Sequence, residues 1–443
     1  MIDALRRRLT RPADLLPLAI FRIGFGVLML FSALRFTTLG WIDAFYIAPG
    51  YHFSYFGFDW VRPLPPAGMY AAFAILAGCA TLIALGLFYR AAIVTFFVLF
   101  TYVELIDLAY YLNHYYFISV MSLLMTVLPL NRTLSLDARW RPELRASTAP
   151  AWMVAAPRIM LGLVYVYAGI AKLNPDWLID AQPLRIWLRA SAGMPVIGPL
   201  FDQPWIAHAM SWAGAAFDLT IPFWLSWRRS RPLAYLVVIG FHTMTGLLFP
   251  IGVFPWVMIA CTLVFFGADD WRWLFARIGR TLPTADPTRA VRPARWIAPA
   301  VALFFAWQVL MPLRHWLYPG NYLWTNEGFR FAWHVMLVEK NGAVTFRVED
   351  PATDRFWIVY PSDYLTRVQE HQMSFQPDMI AQFARFLADE YAPVCGCEPA
   401  VYADTHVSMN GRPGQPIVDS GRDLSRVRRS LLSADWIVPL ATD

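Results

Sequence analysis

The sequence predicts an α-helical integral membrane bundle of about eight or nine transmembrane helices, followed by a C-terminal extracytoplasmic mixed β/α domain. Three observations support this prediction. Apolar residues make up 58% of the 443 residues, and charged residues make up only 15%, whereas charged residues are about 25% of typical soluble domains. Long apolar segments recur up to residue 313, and strand-like alternation follows them. This composition excludes a disordered chain and an ordinary soluble enzyme.

Nine apolar segments approach the length of about 20 residues that a membrane-spanning helix needs. They cover approximately 15–36, 68–89, 91–111, 113–130, 152–172, 211–227, 233–249, 251–267 and 296–313. Pro250 interrupts helical hydrogen bonding, so two helices are expected to meet there. The chain therefore divides into a transmembrane helical domain, 1–313, and an extracytoplasmic β-rich domain, 314–443.

Arginine clusters indicate the orientation, because basic residues are enriched in cytoplasmic loops. When Arg6-Arg7-Arg8 is placed inside, successive connections lie alternately inside and outside, and the arginine clusters all fall inside. Inside are 132–145, 228–231 and 272–295, and outside are 37–67, 173–210 and all residues after 313. The N-terminus is predicted to be cytoplasmic, and the partner of the protein is a lipid membrane. The formal charge of +6 lies in these clusters, so no nucleic acid is a predicted partner.

The segment after residue 313 changes pattern. Residues 343–349 alternate and follow the turn signal Asn341-Gly342, and 356–360 form a second short strand, so a hairpin is predicted. Apolar residues at helical spacing predict a helix over about 377–391, and Val401–Met409 is a further predicted strand.

The four cysteines do not indicate a zinc site, because no Cys-x-x-Cys spacing is present. Cys79 and Cys261 lie in apolar segments and are expected to be unreactive. Cys395 and Cys397 are either a strained redox pair or two neighbouring thiols. No metal is predicted.

Lys172 is the first candidate catalytic residue. Only two of the 37 basic residues are lysines, Lys172 and Lys340, so arginine supplies positive charge almost everywhere. Lys172 ends the fifth predicted span on the outer side. It is either an interfacial lysine whose amine reaches the headgroups or a functional group. Burial can make a lysine a neutral base, which arginine cannot become.

Other ionisable or polar residues fall in the same outer half of the predicted bundle. Asn113 and His114 open the fourth span, where Asn113 could simply cap the helix. His242 lies in the seventh span and is either a core histidine or part of a site. Asp218 is either a structural ion-pair partner, with Arg22 as one option, or a site residue.

A lysine base, a histidine and aromatic walls in a lipid-accessible cavity suit the deprotonation of a weak acid such as a phenol or hydroquinone. The sequence contains no phosphate-binding glycine loop, His-Glu-x-x-His motif or Gly-x-Ser-x-Gly motif. Nucleotide, zinc and serine-nucleophile chemistry are therefore disfavoured.

Several ordered segments resemble the vitamin K-dependent γ-glutamyl carboxylase family, including its shorter bacterial members. They are Tyr111-Leu112-Asn113-His114-Tyr115-Tyr116, Tyr167 through Trp177, Phe241 through Trp256, Trp324 through Met336, and Val407-Ser408-Met409-Asn410. Two departures stand out: Ala171 replaces the first of two adjacent lysines in the animal pattern, and the long C-terminal part of the animal enzymes is missing.

The resemblance implies a carboxy-lyase that uses reduced vitamin K, O2 and CO2 and couples carboxylation to quinone epoxide release. It implies that Lys172 deprotonates the hydroquinone, that oxygenation yields a base strong enough to remove a glutamate γ-proton, and that CO2 then adds. It places His114 and Asn113 beside the hydroquinone. His242, Tyr167 and Trp324 lie in matched segments and are expected to bind the cofactor.

Arg330 and Arg347 are weaker candidates for holding the glutamate carboxylate. The resemblance also implies a location in a bacterial inner membrane and a glutamate-containing peptide or protein as partner. Two alternatives remain open at this point: a quinol epoxidase that does not carboxylate glutamate, and a non-catalytic membrane binding protein.

Overall fold

The computed structural model describes residues 2–353 and 355–441. The first part of the chain is helical, apart from a two-stranded ladder of β1 (Pro12–Asp14) and β2 (Thr148–Pro150). Its helices are α1 (Ile2–Thr10), α2 (Leu16–Thr38), α3 (Pro66–Leu85), α4 (Tyr89–Leu105), α5 (Asn113–Val127), α6 (Leu136–Trp140), α7 (Ala151–Ala171), α8 (Pro175–Leu178), α9 (Leu184–Ala190), α10 (Pro204–Ser226), α11 (Arg231–Leu248), α12 (Phe254–Thr262), α13 (Ala268–Arg277) and α14 (Ile297–Leu310).

Each of the nine predicted apolar segments coincides with a helix, namely α2, α3, α4, α5, α7, α10, α11, α12 and α14 in that order. The predicted break at Pro250 is also present, because α11 ends at Leu248 and α12 begins at Phe254. The apolar segments therefore predicted the positions of these nine helices correctly.

Fewer helices meet a strict test of length and apolarity for crossing a membrane. Five do so in the described part of the chain: α2, α3, α7, α11, and α14 with its extension to Leu317. A sixth is possible if α12, extended to Phe265, and α13 are counted as one span with a bend of 105°. Since α4 and α5 have only 17 and 15 residues, the count of nine spans stays a prediction.

Glycines set the closest helix approaches. A Cβ on Gly26 of α2 would lie 2.5 Å from the backbone nitrogen of Ala84, so α2 and α3 pack backbone to backbone there. A Cβ on Gly169 of α7 would lie 2.9 Å from the backbone nitrogen of Leu219 in α10. Small residues allow such close packing between helices in membranes. The contact at Gly169 brings α10 to the outer end of α7, where Lys172 lies.

The α7–α10 contact can be tested within one helix. Gly169→Ala is expected to lower the free energy of unfolding by about 1–3 kcal/mol, because the new methyl group overpacks the Leu219 backbone. Gly162→Ala, also in α7, is the control, since its Cβ would lie 3.6 Å from Pro222 in ordinary contact. Thermal unfolding in detergent checks the pair, and equal stability of the two variants would contradict the packing argument.

The C-terminal part contains a short helix, a three-stranded sheet and two further helices that cover the sheet. They are α15 (Tyr322–Thr325), β3 (Lys340–Glu349), β4 (Phe356–Val359), α16 (Arg367–Met373), α17 (Pro377–Cys395) and β5 (Ala400–Met409). The strand order is β4-β3-β5, and both pairings are antiparallel. The predicted hairpin, helix and third strand are thus confirmed.

The expected turn at Asn341-Gly342 is wrong. Both residues lie inside β3 and pair with Ser408 and Val407 of β5. Glycine is needed at 342 for another reason: a Cβ there would lie 2.6 Å from the carbonyl oxygen of Ser374. The connection between α16 and α17 therefore packs directly on this point of the sheet.

Polar contacts join the C-terminal part to the outer loops of the helical part. Asp176, which follows the α7 end, accepts two hydrogen bonds from Arg412 at 2.7 and 2.8 Å and one from Asn410 at 2.6 Å. These contacts hold the Asp176 pKa below its usual value, despite the opposing effect of burial.

Cys395 and Cys397 form a disulfide bond at the end of α17.

Candidate functional site

Lys172 directly follows the last residue of α7 and is 5% exposed. Its Nζ donates to Asp218 Oδ2 at 2.9 Å, to the carbonyl oxygen of Ala168 at 3.2 Å and to that of Val335 at 3.4 Å. The indole of Trp177 lies 5.1 Å from the amine. Lys172 is thus an enclosed residue and not an interfacial lysine with its amine among headgroups.

The contacts of Lys172 favour its ammonium form. An ammonium has three donors and no acceptor, and all three neighbours of Nζ are acceptors. The closest of them is the carboxylate of Asp218, which is 6% exposed. The sequence predicted a neutral amine, but the structure places this amine in a buried ion pair. The proton must therefore leave Nζ before Lys172 can act as a base.

A strained loop of the C-terminal part lies over this pair. Phe331, Trp333 and Met336 have φ angles of +61°, +61° and +49°, in the left-handed region that residues other than glycine rarely adopt. Such residues cost roughly 1–3 kcal/mol each and persist where the surroundings hold them. Here the loop is held because the Val335 carbonyl accepts from Lys172 and the His334 carbonyl accepts from Asn113 at 2.9 Å.

Asn113 does not cap its helix. The cap position of α5 is Leu112, and no side chain caps the helix. Instead, Asn113 Nδ2 donates to the loop, and its Oδ1 accepts from the Tyr111 hydroxyl at 3.1 Å. Asn113 and Lys172, 59 positions apart in the sequence, therefore hold adjacent carbonyls of the same loop.

His114 and His242 meet across one aromatic ring. Phe254 lies 5.8 Å from the His114 ring and 5.7 Å from the His242 ring, centroid to centroid. His242 Nε2 is 2.9 Å from the Tyr165 hydroxyl. No hydrogen bond or ring contact joins Lys172 to either histidine in the described part of the chain, so the predicted cluster consists of two adjoining groups.

Two proposed cofactor-binding residues point elsewhere. The Tyr167 hydroxyl donates to the carbonyl of Val309 in α14 at 2.7 Å. Trp324 is fully buried, and its indole nitrogen donates to the Val438 carbonyl at 2.8 Å. The structure brings neither side chain to Lys172.

The arginines and the second lysine also have other partners. Arg330 donates through both terminal nitrogens to Asp378, at 2.6 and 3.2 Å, and Arg347 pairs through its Nε with Glu349 at 3.0 Å. Arg22 donates to main-chain carbonyls, including that of Leu130 at 3.1 Å, and does not pair with an aspartate. Lys340 is buried, which lowers its pKa well below the usual value, and it donates to the Trp324 carbonyl at 2.6 Å.

Sequence reasoning missed Tyr165, Trp333 and His334. Tyr165 is one of two neighbouring tyrosines in α7, and nothing in the pattern distinguished it from Tyr167. Trp333 and His334 lie in the matched segment 324–336, which was the one available signal. Their Nε1 and Nδ1 atoms are buried without a partner in the described residues, as is His242 Nδ1.

His334 is held neutral by its surroundings. It is 3% exposed, and burial, followed by the charges of nearby His315 and Arg314, lowers its pKa from 6.5 to about 3. Its ring lies 4.8 Å from Phe329 and 4.9 Å from Tyr322. A neutral imidazole with an unpartnered nitrogen can donate or accept a hydrogen bond.

The depressed pKa of His334 predicts acid sensitivity. Between the folded value of about 3 and an unfolded value near 6.5, the unfolded chain binds the extra proton. Stability should therefore fall as the pH drops below about 6.5, by up to about 1.4 kcal/mol per unit. Denaturation midpoints of wild type and His334→Phe across this range check the expectation. An identical pH slope in the two proteins would contradict it.

A small apolar cavity lies between α2, α3, α4 and α5. Half of its twelve lining residues are aromatic, among them Phe36, Phe100 and Tyr115, whose ring lies 4.6 Å from that of His114. Glu104 also lines it and has a buried Oε1 without a partner in the described residues. The cavity volume is about 40 Å³, far below the roughly 300–1,000 Å³ of small-molecule pockets, so an apolar ligand could enter only if the lining side chains moved apart.

Comparison with known protein families covers nearly the whole chain. Residues 10–271 match the family model described as HTTM domain, and residues 293–443 match the one described as vitamin K-dependent gamma-carboxylase, lumenal domain. The first match contains Lys172, Asn113, His114 and His242, and the second contains the strained loop. No solved structure matches the chain.

Proposed function

Because the chain belongs to the vitamin K-dependent gamma-carboxylase family, an enzyme family of integral membrane proteins with an extracytoplasmic domain, we propose that it carboxylates glutamyl residues with coupled quinol epoxidation. The observation that carries this proposal is the enclosed Lys172–Asp218 pair under a strained loop, whose Trp333 and His334 carry buried nitrogens without a partner in the described residues. We further propose that the protein lies in a bacterial inner membrane with its N-terminus in the cytoplasm and this site on the outer side.

The residues present fit a hydroquinone. Its two hydroxyl groups need polar partners in an otherwise apolar site, and the unpartnered nitrogens of Trp333, His334 and His242 are such partners. Lys172 would meet the acidic hydroxyl. The aromatic side chains around the small cavity at Tyr115 would have to move apart to hold the apolar remainder of the molecule.

The bound hydroquinone supplies, with O2, a base stronger than any side chain, which glutamate γ-proton removal requires. The protein's own task is to take the first proton. Lys172 Nζ passes its proton to Asp218 Oδ2, 2.9 Å away, and so gains the lone pair that accepts a proton from an acidic hydroxyl. The buried position of the pair keeps bulk water from competing.

The strained loop would then act as a cover. Its carbonyls at His334 and Val335 are held by Asn113 and Lys172, so the loop position depends on the same amine that moves the proton. Water exclusion strengthens the electrostatic interactions inside such a site. A loop held in this way also positions Trp333 and His334 relative to Lys172.

The test is an assay of purified protein with reduced vitamin K, O2, labelled CO2 and a glutamate-containing peptide. The proposal expects quinone epoxide and label in the peptide's glutamate. Epoxide without label would support a quinol epoxidase that does not carboxylate glutamate. No quinol turnover at all would indicate a non-catalytic binding protein and refute the proposal.

A further inference from the structure

The sheet of the C-terminal part has one edge that is only half covered. Strand β3 has ten residues, but β4 has four and pairs only with Phe346–Glu349. The other ten-residue strand, β5, covers the opposite edge of β3 completely. Among the described residues, the first half of β3 therefore has no strand partner on the β4 side.

The hydrogen-bonding pattern shows which groups this leaves open. In antiparallel pairs, alternate residues direct both their N–H and C=O groups to the same neighbour. Val407, opposite Gly342, uses its N–H and C=O with Gln415 on its other side. The N–H and C=O groups of Gly342, and of Val344 two residues later, must therefore point to the open edge.

A proline two residues after β4 prevents this strand from continuing along the edge of β3. Phe346 pairs with Val359, and continuing that register by two residues would place Pro361 opposite Val344. Proline has no N–H to donate to the Val344 carbonyl. Exposed edges are usually blocked by lysines, prolines or bulges on the edge strand itself, and Gly342-Ala343-Val344 has none of these.

A groove of about 220 Å³ lies along these open groups. One wall is β3 from Gly342 to Val344, and the other comprises Pro361 and residues of α16. Three titratable side chains line it: Arg367, Glu370 and His371. The groove thus offers main-chain partners at a two-residue spacing and side chains of both charges, which is the chemistry that recognises an extended polypeptide.

We propose that the open edge of β3 at Gly342 and Val344 binds an extended segment of the substrate polypeptide as an added strand. Only the identity of the bound polypeptide as the substrate rests on the proposed function. Seven positions separate Gly342 from Val335, whose carbonyl contacts Lys172, a reach of at most about 23 Å. A glutamate a few residues from the bound strand could therefore enter the site.

Val344→Pro tests the inference, because it removes an open N–H that the β3–β5 ladder does not use. Val344→Ala is the matched control, which loses the same side chain but keeps the N–H. The test substrate is a long peptide of alternating valine and threonine around one glutamate. Val344→Pro is expected to raise the KM for this peptide by about tenfold, and Val344→Ala is not. KM for a blocked single glutamate should stay unchanged. An unchanged KM for the long peptide, or an equal rise for both substrates, would overturn the inference.

A scan of N-methylated peptides gives a second test on the wild-type protein. The valine–threonine peptide is labelled with fluorescein, and its binding is measured without quinol. Methylation of every second backbone nitrogen position should weaken binding about tenfold, and methylation of the positions between them should not. A flat profile, or no binding of the parent peptide, would overturn strand addition. Because this readout does not need turnover, failure of the groove and failure of the proposed chemistry are distinguishable.

Discussion

Lys172→Ala is expected to lower quinone epoxide formation by roughly 10²–10⁴-fold, the usual contribution of a positioned general base. The reason is that Lys172 Nζ is the one amine at the candidate site, enclosed between Asp218, Ala168 and Val335. Single-turnover formation of epoxide by purified protein measures the effect. Wild-type activity in the variant would refute the role assigned to this residue.

Lys172→Arg separates the charge of this residue from its ability to lose a proton. Arginine can keep the ion pair with Asp218 but stays protonated at any relevant pH. We therefore expect the arginine variant to be folded and nearly as inactive as the alanine variant. Substantial activity with arginine would mean that the cation suffices and that Asp218 itself takes the hydroquinone proton.

Asp218→Leu is expected to have the largest effect on stability, a loss of about 3–5 kcal/mol, because it leaves the buried Lys172 amine without its partner. Thermal or denaturant unfolding in detergent measures it.

The double variant Lys172→Met/Asp218→Leu shows whether the lost stability comes from the unpaired charge. Replacing both charges by apolar groups removes the unpaired charge, so most of the stability should return, while epoxide formation stays lost. A double variant as unstable as Asp218→Leu would show that the cost arises from packing around α10 and not from the ion pair.

Local patterns in the chain were sufficient for the nine apolar helices, for α17 and for the three strands of the C-terminal sheet, but not for shorter helices such as α13 and α16. The apolar segments before residue 313 each coincide with a helix, and the alternating segments after it form the predicted sheet. The wrong prediction of a turn at Asn341-Gly342 has a tertiary cause: glycine is required there by the Ser374 backbone and not by a turn. A dipeptide signal cannot distinguish these two demands.

The candidate site was only partly predictable. The scarcity of lysine singled out Lys172, because an unusual choice of residue type is visible in composition alone. Its partner was not identifiable, since Asp218 is 46 positions away and Arg22 was an equally plausible partner for that aspartate. Residue spacing along the chain does not specify side-chain orientation. It therefore could not show that Lys172 and the two histidines form separate groups, or that Tyr167 is directed towards α14.

Hydropathy and charge along the chain determined that this protein crosses a membrane and carries a folded domain after its last apolar segment, because both properties follow from local composition. Only the tertiary structure decided that Lys172 is paired and covered. The contacts responsible join residues 163 and 221 positions apart, and they exist because Gly169 lets α10 approach α7 and because the loop at 331–336 adopts a backbone that its own residues disfavour.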